Sequence, residues 1–93
     1  MHEMLEAAGT ILDDVVALRR DVHRHPELGL DNPGTQRRII DALDGLPLAV
    51  RAGEGLTSVV ADLDGEGGGQ PATVLLRADT DALPMTEESG EDF

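Results

Sequence analysis

Two segments, VVADL at 59–63 and TVLLRA at 73–78, carry almost unbroken apolar side chains, and they constrain the chain more than any other feature. Successive side chains of a strand point to opposite sides, so a run apolar at every position belongs in a sheet covered on both faces. The cover has to come from 93 residues. A chain of that length makes at most one small domain and buries about 60 to 65% of its unfolded surface. Its single aromatic residue is Phe93, so any core is built from Leu, Val, Ile and Ala, and no large aromatic anchor is offered to a base or a partner.

The cover predicted from the sequence is thin. From Met4 to Val22 the apolar residues Met4, Ala8, Ile11 or Leu12, Val15, Leu18 and Val22 fall at helical spacing. Gly9 weakens the middle of that stripe by about 1 kcal/mol relative to Ala. The helix is therefore expected to begin properly at Thr10, whose hydroxyl would cap it with Asp13 completing a capping box. His25-Pro26 stops it, because a residue before proline avoids helical geometry. Asn32-Pro33 reads as an N-cap followed by proline at the first helical position, and Gly45 as a C-cap, which predicts a second helix over 33–44.

The rest of the chain predicts strands over 48–51, 57–63 and 73–78, the last two joined by the polar turn DGEGGGQP. The order is two helices and then about three strands. Three strands and two helices can form a small α+β domain, yet two helices hardly provide two covering layers. The pattern reads as the front of something larger, with a sheet edge open to self-association.

Composition excludes several function classes. Nineteen acidic residues against seven arginines and no lysine give a net charge of −12, a field that repels phosphate backbones and anionic lipid, so neither nucleic acid nor membrane is an expected partner. There is no cysteine, hence no disulfide framework and no thiolate metal site. No apolar run approaches a bilayer span, and MHEMLEAAG lacks the layout of a secretion signal, which makes the cytoplasm the expected location.

Chemistry concentrates in LLRADTDALPM, where Asp79 and Asp81 follow a predicted strand. Residues i and i+2 of a strand share a side, so the two carboxylates can converge, and like charges that close call for a cation or a hydrogen-bonded support. The end of a buried strand is also where open α/β sheets place ligands. Alternatively, the two aspartates end the strand through turns to their own backbone. His23 and His25 are two apart, a spacing that splays them on a helix, unlike the i, i+4 pair of zinc sites. Arg19, Arg20 and Arg24 read as a solvated face pairing with Asp13, Asp21 or Glu27. Glu87, Glu88, Glu91 and Asp92 read as a soluble loop. A nucleotide-sugar transferase would also use D-x-D after an apolar strand, but no glycine-rich βα unit precedes the motif here.

Taken together, LRRDVHRHPELGL, Thr35 with RRIIDAL, GLTSVVADL and TVLLRADTDALPMTEESGEDF resemble, in order and spacing, the amino-terminal part of the zinc-dependent amidohydrolases. That family includes hippurate hydrolase, N-acyl-amino-acid hydrolases and indole-acetyl-amino-acid hydrolases. The resemblance implies an α/β fold in which residues 1–93 are the incomplete front portion of a three-layer αβα zinc-peptidase-like catalytic domain, without the lid and dimerisation domain. It also implies hydrolysis of the amide bond of an N-acyl amino acid or peptide by two divalent ions, zinc or manganese, with a glutamate taking the proton of a bridging water.

Residue by residue, the resemblance carries little over. Related metallopeptidases close this strand with His-x-Asp, the His on a metal and the Asp orienting it; here those positions are Asp79 and Asp81. Asp81 is thus the candidate for a supporting role and Asp79 the weaker one, with no metal ligand expected in this chain and no metal expected to be held by it alone. The family's ligands follow the equivalent of Phe93, in a segment with a Cys and a His and then a paired glutamate distinct from Glu87 and Glu88. Thr80 stands where the family usually has Met. The chain alone is therefore expected to be inactive, the alternative being a small non-catalytic interaction module or gene remnant.

Overall fold

The computed structural model describes residues 2–70 and 72–93. Three helices precede a two-stranded antiparallel sheet: α1 (His2–Thr10), α2 (Leu12–Arg24), α3 (Pro33–Ala42), β1 (Ala49–Ala52) and β2 (Val59–Asp62).

The apolar stripe predicted as one helix with a weak start is two helices, broken at Ile11. The expected capping box is absent, because the Thr10 hydroxyl turns back to the Ala7 carbonyl at 2.6 Å and the N-cap of α2 is Ile11, with no side-chain bond. Asp13 and Asp14 still sit in the first turn of α2, where carboxylates oppose the helix dipole. The helix ends at Arg24 as expected ahead of Pro26, with the His25 N–H donating to the Val22 carbonyl at 3.1 Å. Helix α3 starts at Pro33 as predicted and stops slightly early at Ala42, followed by Gly45 at φ +84°.

The hairpin is not where the glycine-rich turn suggested. Strands β1 and β2 pair in the register Ala49↔Asp62 to Ala52↔Val59, and the link between them is 53–58, closed by the Gly53 N–H donating to the Ser58 carbonyl at 3.0 Å. A side chain at Gly53 would run into the Leu56 carbonyl, so this position is reserved for glycine. The predicted turn at 64–71 leads out of the sheet, and its last residue, Pro71, lies outside the described residues.

The third predicted strand does not form. Residues 73–78 are irregular, with Val74, Leu75 and Leu76 at 85%, 85% and 91% exposure. A strand exists only through a paired neighbour, and nothing among the described residues offers one; β propensity cannot replace it. No hydrophobic side chain among the described residues is buried, so the expected aliphatic core is absent. The radius of gyration is 15.8 Å, against roughly 12 Å for a compact domain of this length. What is buried is polar: Asn32 and Thr35.

Candidate functional site

The polar junction is built by the segment HPELGLDNP, which links α2 to α3. Helix α3 opens with free N–H groups, and the side chain that satisfies them is Glu27, not the N-cap Asn32. Glu27 Oε2 accepts from the Gly34 N–H at 3.1 Å and Oε1 from the Thr35 N–H. The Thr35 side chain first, then the N–H groups of Thr35 and Gly34 and the Arg38 guanidinium, hold the Glu27 carboxyl below its ordinary value of 4.5, while partial burial works the other way. Because the Thr35 hydroxyl makes no hydrogen bond of regular geometry, we assign the larger share to the two N–H donors. The folded value is depressed, so this stabilisation is complete above pH 4.5 and is lost as the pH falls through the lower folded value.

Asn32 serves a different end. Its Nδ2 donates to the Gly29 carbonyl at 2.8 Å and, more weakly, to Thr80 Oγ1 at 3.4 Å. Its N–H donates to Thr57 Oγ1 at 2.7 Å, and that hydroxyl donates on to the Leu30 carbonyl at 3.0 Å. The junction therefore gathers the 27–32 loop, the hairpin link and the Asp79-Thr80-Asp81 segment. A further tie is made by the Ala82 N–H, which donates to the Glu27 carbonyl at 2.7 Å.

Asp79 and Asp81 both line an open hollow of about 280 Å³, with Leu18, Val22 and Ile39 from α2 and α3 and Glu27, Thr35 and His23 around it. The strand on which the two carboxylates were expected to converge does not form, and both residues border this hollow instead. Asp79 accepts from Arg77 at 2.8 Å, and both of these side chains are largely exposed. No three His, Asp or Glu side chains among the described residues gather closely enough to hold a metal ion. A dinuclear centre does not fit these residues.

The two histidines diverge, as their spacing implies. His25 Nδ1 lies 2.9 Å from the Asp21 carbonyl, whereas His23 Nε2 lies 2.7 Å from Glu87 Oε1. The acidic stretch read as a soluble loop is in fact strapped to the end of α2. Arg24 Nε donates to the Asp92 carbonyl at 3.1 Å, and Arg20 stacks 4.6 Å from the Phe93 ring centroid, with His23 edge-on to the same ring. Arg20 and Arg24 thus pair with the 87–93 segment, and the Asp21 carboxylate is taken by Arg38 at 3.0 Å. Among these contacts, the bond from His23 comes first in lowering the Glu87 pKa below 4.5, followed by Ser89. In His23→Ala the Glu87 carboxylate should titrate closer to 4.5; carbon-detected NMR titration checks this, and an unmoved midpoint would dismiss the contact.

Sequence reasoning missed Glu27, Asn32 and Thr35 as site residues. The available signal was a carboxylate seven residues ahead of Gly34, close enough to reach a helix start.

No helix among the described residues is long and apolar enough to cross a membrane. No protein-family profile matches the chain, and no solved structure matches it. Curated relatives do. The chain is 39% identical over 84 residues to thermostable carboxypeptidase 2 of Saccharolobus solfataricus, covering 89% of this chain and 21% of that protein. It is 34% identical over 93 residues to an N-acyl-L-amino acid amidohydrolase of Geobacillus stearothermophilus, covering 99% and 24%. It is 38% identical over 82 residues to an N-acetyldiaminopimelate deacetylase of Halalkalibacterium halodurans, covering 85% and 21%. The chain thus spans less than a quarter of the length of these relatives.

Proposed function

The chain is a homologous segment of the amidohydrolase family that these relatives represent, and on that premise we propose that it is part of a metal-dependent enzyme hydrolysing the amide bond of an N-acyl amino acid or a peptide. The observation that carries this reading is the similarity itself. Over 85% to 99% of the chain, it matches proteins named carboxypeptidase, amidohydrolase and deacetylase. Each of those names denotes cleavage of an amide beside an amino acid.

Within that reading, residues 1–93 form the amino-terminal part of a three-layer αβα catalytic domain in the cytoplasm, the lid domain lying outside them. Two divalent ions, zinc or manganese, held by donors elsewhere in the enzyme, would polarise the scissile carbonyl and acidify a water. Asp81 would support a metal ligand from behind, with Asp79 beside it at the rim of the hollow. The 93 residues on their own would not turn over substrate.

Two measurements test this. Capture of the native protein with an antibody to residues 1–93, followed by intact mass spectrometry, should find a species well above 9.8 kDa; coverage of 21% of a relative corresponds to a protein between four and five times as long. A species at 9.8 kDa would remove the larger enzyme. Purified 93-residue chain supplied with zinc or manganese should release no amino acid from N-acetyl or N-benzoyl substrates, and turnover above a metal-only control would show the segment competent alone.

A further inference from the structure

We propose that Glu27 is a positioning residue for the Asp79–Asp81 segment, coupling the start of α3 to the carboxylates at the rim of the hollow. The proposal deepens the amidohydrolase reading and rests on it for the role of that segment. Its side chain and its main chain act on different partners. The carboxylate accepts from the N–H groups of Gly34 and Thr35, which anchors residue 27 to α3. The carbonyl of the same residue accepts from the Ala82 N–H at 2.7 Å, one position beyond Asp81.

Among the described residues, and apart from the weaker Asn32–Thr80 contact at 3.4 Å, this is the hydrogen bond that ties residues 79–82 to the loop between α2 and α3. No hydrophobic side chain among the described residues is buried, and Thr80 and Ala82 are only half-buried beside the hollow, so this hydrogen bond carries a large share of the segment's placement. Loss of the Glu27 side chain frees residue 27 from α3, and the carbonyl that holds Ala82 moves with it. A charged acceptor on two backbone donors is a strong anchor for its size, and Gly34 leaves room for it, since a side chain there would crowd Arg38 and the Glu27 oxygens.

The chain has no cysteine, so spin labels can be placed at will. Arg37→Cys on α3 and Leu83→Cys beside the segment are both largely exposed, and Asp14→Cys with Arg37→Cys provides a reference pair between α2 and α3. Pulsed electron resonance should give a narrow 37–83 distance distribution in the parent chain. In Glu27→Ala that distribution should widen about twofold through local opening, with the 14–37 pair changing much less. Glu27→Gln, which keeps one acceptor oxygen, should restore most of the narrowness. Equal widening of both pairs would make Glu27 an ordinary helix cap and overturn the proposal, as would a broad 37–83 distribution in the parent chain or no change in Glu27→Ala. Distances are read without turnover, so an inactive protein leaves this test intact, and a failed distance test leaves amide hydrolysis untouched.

Discussion

Urea unfolding of the 93-residue chain should give an m-value about two-thirds of that for a compact domain of equal length, because the slope scales with the surface exposed on unfolding. An extended chain of 9.8 kDa exposes roughly 14,000 Å² and a compact one roughly 5,200 Å². The folded chain exposes 8242 Å². Folding therefore buries about 6,000 Å² where a compact domain would bury about 9,000 Å². The excess is apolar where it matters: Leu75, Leu76 and Val74 stand almost free, with Leu63 and Leu83 at 69% and 68% exposure. The same surface should bind ANS strongly and promote association. Leu76→Asp discriminates: at 91% exposure it should change stability by no more than about 0.5 kcal/mol, while lowering both ANS fluorescence and association. A full m-value, a weak ANS signal and a large loss of stability in Leu76→Asp would together mean that residues 73–78 are covered in solution.

How much of this was legible in the sequence depends on whether the deciding contact was local. The stop at His25-Pro26 and the start at Asn32-Pro33 were readable, because proline geometry acts on its immediate neighbours. So were β1 and β2 to within about two residues, since each has its partner across a link of only six residues, 53–58. Residues 73–78 have the composition of a strand but no partner among the described residues, and composition does not report partners. The break at Ile11 was only half visible: Gly9 signalled weakness, but the choice of the Thr10 hydroxyl to bond backward instead of capping forward is a competition between two local bonds of similar strength. In the site, the two aspartates were visible as a motif. Their common hollow was not, because it depends on Glu27 bonding Ala82 across 55 positions of sequence, a contact that no period or spacing encodes. The strap of 87–93 on α2 was hidden for the same reason, and the charges that form it read equally well as solvated.

Asn32→Asp should open the polar junction, at a cost of about 3 kcal/mol or more, the expected penalty for a buried charge facing an acceptor. The substitution is nearly isosteric, so shape is conserved and only chemistry changes. Asn32 is 2% exposed, and its Nδ2 donates to the Gly29 carbonyl at 2.8 Å; a carboxylate oxygen in that place would face another oxygen with no proton between them. Asn32→Ala removes the same donor without adding charge and should cost about 1 kcal/mol. The pH dependence separates the two variants. Desolvation and the facing carbonyl raise the pKa of the new carboxyl, so the defect is complete above that raised value. It fades as the pH falls through it, because the protonated acid can again donate to Gly29. Hydrogen exchange at the Asn32 and Ala82 amides, which donate to Thr57 and to the Glu27 carbonyl, reads the junction directly. Both should lose protection in Asn32→Asp at neutral pH and regain part of it in mild acid, whereas Asn32→Ala should show a smaller loss without that recovery. Protection in Asn32→Asp equal to the parent at neutral pH would show that water already reaches this site, and the junction could not then be what holds the aspartate segment to the helices.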